Sequence, residues 1–428
     1  MAPRGEDCCK AADGIVSRRE FLRRAAILGA AGVVAIGPAG WAARAVASDG
    51  NRRRLIVVFL RGAVDGLNVV APHGEPAYYD RRPTIAIARA GGDGALVNLD
   101  GFFGLHPALA PIAPLWNEGT LAFVHACGSP DPTRSHFDAQ DYMESGTPGV
   151  KRTADGWMNR VLASMPGAHQ PTEALSIGPT VPRILSGKMP VANLPLGRAA
   201  ARPMPLDRPV IESAFDRLYS GDDALSRAYR EGRTARAKLM ADLEADMTAA
   251  SGGAPGPAGF GGDTARLAHL IQRDPSIRLA FLALGGWDTH VNQGGARGQL
   301  ANHLRPLAQG LADFQRALGS AWSETVMLVI SEFGRTVHQN GNGGTDHGHG
   351  NVMWVMGGAV RGKKIYGRWP GLATASLYQG RDLAVTTDFR EPIATVLAAH
   401  LGLGAAQIER VFPARPAPSG NTSGLLRI

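Results

Sequence analysis

Apolar residues run unbroken through Leu55–Leu60, Leu279–Leu284 and Thr325–Ser331, the pattern of strands buried on both faces of a parallel sheet. Each run empties into a polar, glycine-containing turn. The first leads to Arg61-Gly62-Ala63-Val64-Asp65-Gly66, the second to Gly285-Gly286-Trp287-Asp288-Thr289-His290, and the third to Glu332-Phe333-Gly334-Arg335-Thr336. Between the last two, Leu304, Leu307, Leu311, Phe314 and Leu318 recur at spacings of three and four, which predicts an amphipathic helix over Asn302–Leu318 and a β–α–β unit. Leu121–His125 and Val352–Met356 read as further strands, and Gly156–Leu162, Thr264–Arg273 and Asp388–Leu401 as helices. Asp222–Met247 is strongly helical, with Ala235, Leu239, Leu243 and Met247 on one face, before a Gly/Pro/Ala linker at Ser251–Gly262. The pattern predicts one α/β domain over 52–428, with a mostly parallel sheet and a helical insertion at about 205–250.

The first 47 residues read as a targeting signal. Ser17-Arg18-Arg19-Glu20-Phe21-Leu22-Arg23 precedes a short Gly/Ala-rich apolar run, Ala25–Ile36, and Ala-x-Ala sites follow at Ala43-Arg44-Ala45 and Ala45-Val46-Ala47. The paired arginines look like a twin-arginine export signal, so the expected partner is that export machinery and the expected destination is the periplasm or the exterior. The apolar run is too weak for a spanning helix, and no stable membrane span is expected after cleavage. Of three cysteines, Cys8 and Cys9 fall in this leader, leaving Cys127 and no basis for a disulfide or a thiolate metal site.

Of the formal +8 net charge, +3 belongs to the leader, and the modest remainder suits an anionic substrate. No basic run interleaved with aromatics is present, so nucleic acid is not an expected partner.

The candidate chemistry lies where the strands end, the place where open α/β sheets bind ligands. Asp65 sits at the edge of the first strand, either as a ligand or as a turn residue capping backbone amides. Asp288 and His290 follow the second strand after two glycines. Glu332 ends the third, where a buried charge needs either Arg335 or a cation. Asp346, His347 and His349 crowd into four residues of a glycine-rich loop. Imidazole with carboxylate suits zinc, manganese or iron, as one ion or as two about 4 Å apart. Ser135, with Asp138 three residues later, reads first as a capping box; beside Arg134 and His136 it is also a candidate nucleophile or phosphate contact.

Together, Arg-Gly-x-x-Asp-Gly at 61–66, Ser-His-Phe-Asp at 135–138, Gly-Trp-Asp-Thr-His at 286–290, Glu-Phe-Gly-Arg-Thr at 332–336 and Gly-Thr-Asp-His-Gly at 344–348 resemble the exported bacterial family catalogued as domain of unknown function 1501. That family is itself similar to the alkaline phosphatase and sulfatase superfamily. The resemblance implies a three-layer, alkaline-phosphatase-like fold. It implies metal ligands at Asp65, Asp288, His290, Glu332 and His347 or His349, with Ser135 in the nucleophile position. Two departures stand out: Asp288 and His290 are two apart rather than four, and Glu332-Phe333 replaces an Asp-His dipeptide. Cys-x-Pro-x-Arg is absent, which argues against a formylglycine sulfatase. The expected activity is metal-dependent hydrolysis of phosphate or related esters, with Arg134 or Arg335 steadying developing charge. The alternative is a binding or assembly protein that keeps the fold without catalysis.

Overall fold

Along the first strand of the domain, Ile56, Val58 and Leu60 join one hydrophobic core while Leu55, Val57 and Phe59 join another, so the period-2 alternation feeds two separate layers. Each such side chain, fully buried, contributes roughly 1.5–3 kcal/mol. A computed structural model describes residues 52–89, 91–167, 169–178, 180–194, 209–234 and 259–427 of the chain. In a separate unit spanning Met1–Asn51 it gives one antiparallel strand pair, Val34–Ile36 with Ala42–Arg44. The twin-arginine motif and cleavage sites expected in this leader otherwise fall outside the described residues.

Among the described residues the main sheet has nine strands: β1 (Arg54–Leu60), β2 (Leu121–Gly128), β3 (Ala174–Ile177), β4 (Ala192–Leu194), β5 (Leu279–Leu284), β6 (Thr325–Ile330), β7 (Asn351–Gly357), β8 (Ile365–Tyr366) and β9 (Thr387–Asp388). Their order is β8-β2-β7-β6-β1-β5-β3-β4, with β9 also beside β2. Every pairing is parallel except those of β7, which runs against both neighbours. Helices α3 (Phe260–Arg273) and α4 (Gln299–Leu318) pack on one face; α2 (Trp157–Ser164), α5 (Arg390–Ala399) and α6 (Ala405–Val411) pack on the other. The fold is therefore the expected three-layer sandwich with a mostly parallel sheet.

The predicted elements recur within a few residues of their expected ends. The expected helix over Asp388–Leu401 is α5, and a further short helix that the pattern did not predict, α6, follows after the Leu401–Gly404 turn. Of the expected insertion, a helix at Pro209–Leu218 is described, whereas Ala235, Leu239, Leu243 and Met247 lie outside the described residues. Among the described residues no helix is long and apolar enough to cross a membrane.

Parallel strands place the C-terminal ends of β1, β2, β5 and β6 along one edge. Because β7 is antiparallel, its first residues return to that same edge, and the connection from Ser331 to Gly350 leaves and re-enters the sheet there.

Candidate metal centre

Helix α1 (His136–Ser145) starts soon after β2, with Ser135 as its N-cap: the Ser135 hydroxyl accepts from Asp138 N at 3.4 Å. Its first residue, His136, projects toward the sheet edge. There His136 Nε2, His347 Nε2 and Asp288 Oδ1 come together, at 3.0 Å between the two nitrogens and at 3.5 and 3.3 Å from them to the carboxylate. Bonds of 2.0–2.1 Å in tetrahedral zinc geometry set donor atoms about 3.3 Å apart. The trio therefore has the spacing of one face of such a site. His290 Nε2 adjoins it, 2.9 Å from His347 Nε2 and 3.0 Å from Asp288 Oδ1.

The other ring nitrogen of each imidazole explains why these atoms converge. His136 Nδ1 donates to Glu332 Oε1 at 2.8 Å, His347 Nδ1 to the Arg134 carbonyl at 2.9 Å, and His290 Nδ1 to Asp346 Oδ1 at 3.2 Å. Carboxylates and carbonyls only accept, so the proton of each neutral ring sits on Nδ1 and leaves Nε2 as a bare lone pair. His136 Nε2, His347 Nε2 and Asp288 Oδ1 are then three acceptors facing one another. One proton on His136 would close a single side of that triangle, whereas a cation would close all three.

The two rings differ electrostatically. The hydrogen bond to Glu332 raises the pKa of His136, so a cation there would have to displace a proton from it, while burial first, and then the charge of a protonated His136, lower that of His347 and keep it neutral. Burial pushes the carboxyls of Glu332 and Asp288 up, but their hydrogen bonds and charged neighbours outweigh it and hold both below the ordinary range. Asp346 is lowered first by its bond from Asn340.

Close backbone contact makes the arrangement possible. A Cβ on Gly344 would lie 2.3 Å from the His290 carbonyl oxygen, so only glycine lets the His347 loop stack on the His290 loop. Gly62 has φ +113° and packs against Asp288 N. Gln293 ties the same loops: its carbonyl accepts from Thr289 and Thr345, and its amide donates to Asp65 at 2.6 Å.

Several expected site residues have other partners. Asp65 is fully buried and not in the trio; Arg82 grips both of its oxygens, at 2.5 and 3.0 Å. Glu332 does not pair with Arg335. Its Oε1 accepts from His136, Gly62 N and Gln140, so it supports a ligand from behind. Arg335 is buried and donates to the carbonyls of Ala63, Gly62, Thr345 and Trp287 and to Asp288, so it has no face toward a substrate. Arg134 is paired with Asp382. His349 turns away and stacks on Tyr378. Ser135 is exposed, and its side chain makes no bond to the trio among the described residues. The residue missed as a candidate ligand is His136. Its signal was the Ser-His-Phe-Asp motif, where the cap drew the functional reading one position too early. A surface cavity of about 350 Å³ lined by Thr147, Val150, Arg160, Arg390 and Pro413 shares no residue with this centre.

The profile of a family described as "Protein of unknown function (DUF1501)" matches residues 122–412. No curated protein matches the sequence. Among solved structures, similar chains include a protein in the alkaline phosphatase superfamily from Vibrio parahaemolyticus, with TM-score 0.34 and 11% identity over 74% of this chain and 62% of that one. The lipoteichoic acid synthase LtaP from Listeria monocytogenes gives 0.32 and 9%, over 79% and 75%. The C-terminal periplasmic domain of EcEptC from Escherichia coli gives 0.36 and 10%, over 87% and 89%. The chain thus spans less than two thirds of the length of the first of these.

Proposed function

The chain belongs to the DUF1501 family, and we propose that it is an exported hydrolase of anionic phosphate-type esters that holds one divalent metal ion on His136, Asp288 and His347. The observation that carries this is the meeting of three lone-pair atoms within 3.5 Å, each histidine held in the metal-binding tautomer by its own acceptor. Two imidazoles and a carboxylate favour zinc, manganese or iron over magnesium or calcium. One ion fits better than two, because the Arg335 guanidinium already lies 2.6 Å from Asp288 Oδ1 and 3.5 Å from His290 Nε2, where a second cation would sit.

When bound, such a metal polarises an ester oxygen and lowers the pKa of water. The remaining roles belong to the chain. Glu332 and the Arg134 carbonyl fix the two ligand rings. His290, half exposed and oriented by Asp346, offers Nε2 as the acceptor for the proton released by an attacking water. Ser135 acts as a helix cap rather than as the nucleophile, since no described base takes its proton. The N-terminal twin-arginine motif would place this activity in the periplasm or outside the cell.

The test is elemental analysis of protein purified without chelator, followed by a screen of phosphate and sulfate esters. Near-stoichiometric metal that disappears in Asp288→Ala and His347→Ala supports the reading. No metal after dialysis against zinc, manganese and iron salts overturns it and favours a non-catalytic binding protein.

A further inference from the structure

Beside the metal centre two guanidinium groups share one carboxylate. Asp382 is completely buried; Arg134 donates to its Oδ2 at 2.6 and 3.2 Å, and Arg381 donates to its Oδ1 at 2.9 Å and Oδ2 at 3.3 Å. Gln379 takes one further N–H of Arg134. Two positive charges share this one carboxylate; Asp346, held below the ordinary carboxylate range first by its bond from Asn340 and in part by the charge of Arg381, makes no hydrogen bond to either guanidinium among the described residues. Both arginines are also tied to a metal ligand: the Arg134 carbonyl accepts from His347 Nδ1, and Arg381 Nη2 donates to the His347 carbonyl at 2.6 Å. The Arg134 main chain therefore stands one imidazole away from the trio, and the Arg381 guanidinium is anchored to the main chain of the same histidine.

The two side chains are 31% and 44% exposed, and neither Nη1 has a hydrogen-bond partner among the described residues. Asp288, His290 and Asp346 are half exposed beside His347, so the arginines and the metal ligands open to solvent around one residue. A surface ion pair does not need a fully buried carboxylate. Asp382 instead fixes both planar forks in advance, which reduces the ordering cost when an anion arrives.

We propose that Arg134 and Arg381 form an anion subsite for a second phosphate-class group on the substrate, next to the ester that reacts at the metal. This rests on the hydrolase reading of the same site, and it narrows the substrate to one with an anionic group beside the scissile ester. Arg134 thus keeps a binding role, but in recognition rather than in steadying the reacting oxygen.

Inorganic phosphate is the probe, titrated calorimetrically into wild type, Arg134→Gln, Arg381→Gln and Arg381→Lys, with metal content measured on every sample. Each single variant leaves Asp382 one guanidinium, so folding is retained and is checked by thermal melting. Loss of one fork weakens phosphate about tenfold or more, the scale of a charge-assisted bidentate contact. Arg381→Lys restores only part of it, because a point charge replaces the fork. Affinities within twofold of wild type at unchanged metal content overturn the subsite, as does absence of phosphate binding to wild type. If wild type proves metal-free, the hydrolase reading fails on that measurement alone. The titration still decides the arginine pair: weaker binding by Arg381→Gln supports it, equal binding overturns it.

Discussion

Replacing Glu332 by glutamine separates metal tuning from folding. Three donors converge on Glu332 Oε1: Gly62 N and His136 Nδ1 at 2.8 Å and Gln140 Nε2 at 3.0 Å. A glutamine carbonyl in the same place keeps all three. Its amide would replace Oε2 beside Ser331 Oγ, which already donates to the Leu60 carbonyl at 2.6 Å and has a lone pair to accept with. Shape and bond count survive; only the negative charge behind His136 is lost. Partners behind a metal-bound histidine are worth about 10–100-fold in metal affinity, or roughly 1.4–2.7 kcal/mol. Glu332→Gln should therefore lose that factor in a zinc competition titration against a chromophoric chelator, while the metal-free melting temperature moves little. Glu332→Ala is the contrast. It strands three half-buried donors, each costing up to roughly 1–3 kcal/mol, so the metal-free melting temperature should fall as well. A Glu332→Gln protein that binds zinc within threefold of wild type would refute the idea that this carboxylate tunes a metal ligand.

Asp288→Asn and His347→Ala should each reduce metal affinity more than 100-fold, read in the same titration. Ser135→Ala should cost about 1 kcal/mol of stability in a denaturant melt, as loss of a helix cap does, and leave most of the turnover; a loss of several orders of magnitude would make Ser135 a nucleophile after all. Stability should also fall as pH drops from about 6.5 toward 4. Burial lowers His106, His125 and His400 to about 4, and the Nδ1 atoms of His106 and His125 accept backbone N–H bonds that exist only in the neutral ring. The unfolded chain then binds more protons across that window, so the stabilisation is complete above 6.5. Each histidine loses roughly 1.4 kcal/mol of it for every pH unit descended between its unfolded and folded pKa. Equilibrium melts flat between pH 7 and 4.5 would contradict this. Removing the Gln293 clamp with Gln293→Ala should weaken metal binding and lower the melting temperature together, since Thr289, Thr345 and Asp65 all lose a partner.

The layers of the fold were legible because they depend on periodicity. The two-sided burial of Leu55–Leu60 and the 3,4 spacing of Leu304 to Leu318 describe local geometry, and β1 and α4 follow them. The edge of the sheet was legible as the place for chemistry, and Asp288 and His347 meet there as expected. Pairings across the chain were not. Asp65 looked like any strand-end ligand until Arg82 closed on both its oxygens. Glu332 reached His136 rather than Arg335 because the partner comes from a helix nearly two hundred residues earlier. His349 is distinguished from His347 only by which way one glycine-rich turn rolls. No local rule encodes these choices.

The proposed metal ligands His136, Asp288 and His347 come from three segments far apart in the chain, the start of α1, the turn after β5 and the loop before β7. An unfolded chain would have to close two very long loops to gather them, so a metal held there would have essentially one partner state, the native one. That would reverse the order of a zinc finger, where metal drives folding: the sheet would form first and loading would follow. Every kilocalorie of binding then appears as protection of the native state, about 2.7 kcal/mol at a free metal concentration 100 times the dissociation constant. The melting temperature would then be a gauge of metal occupancy, and the metal-free protein would still be a folded one.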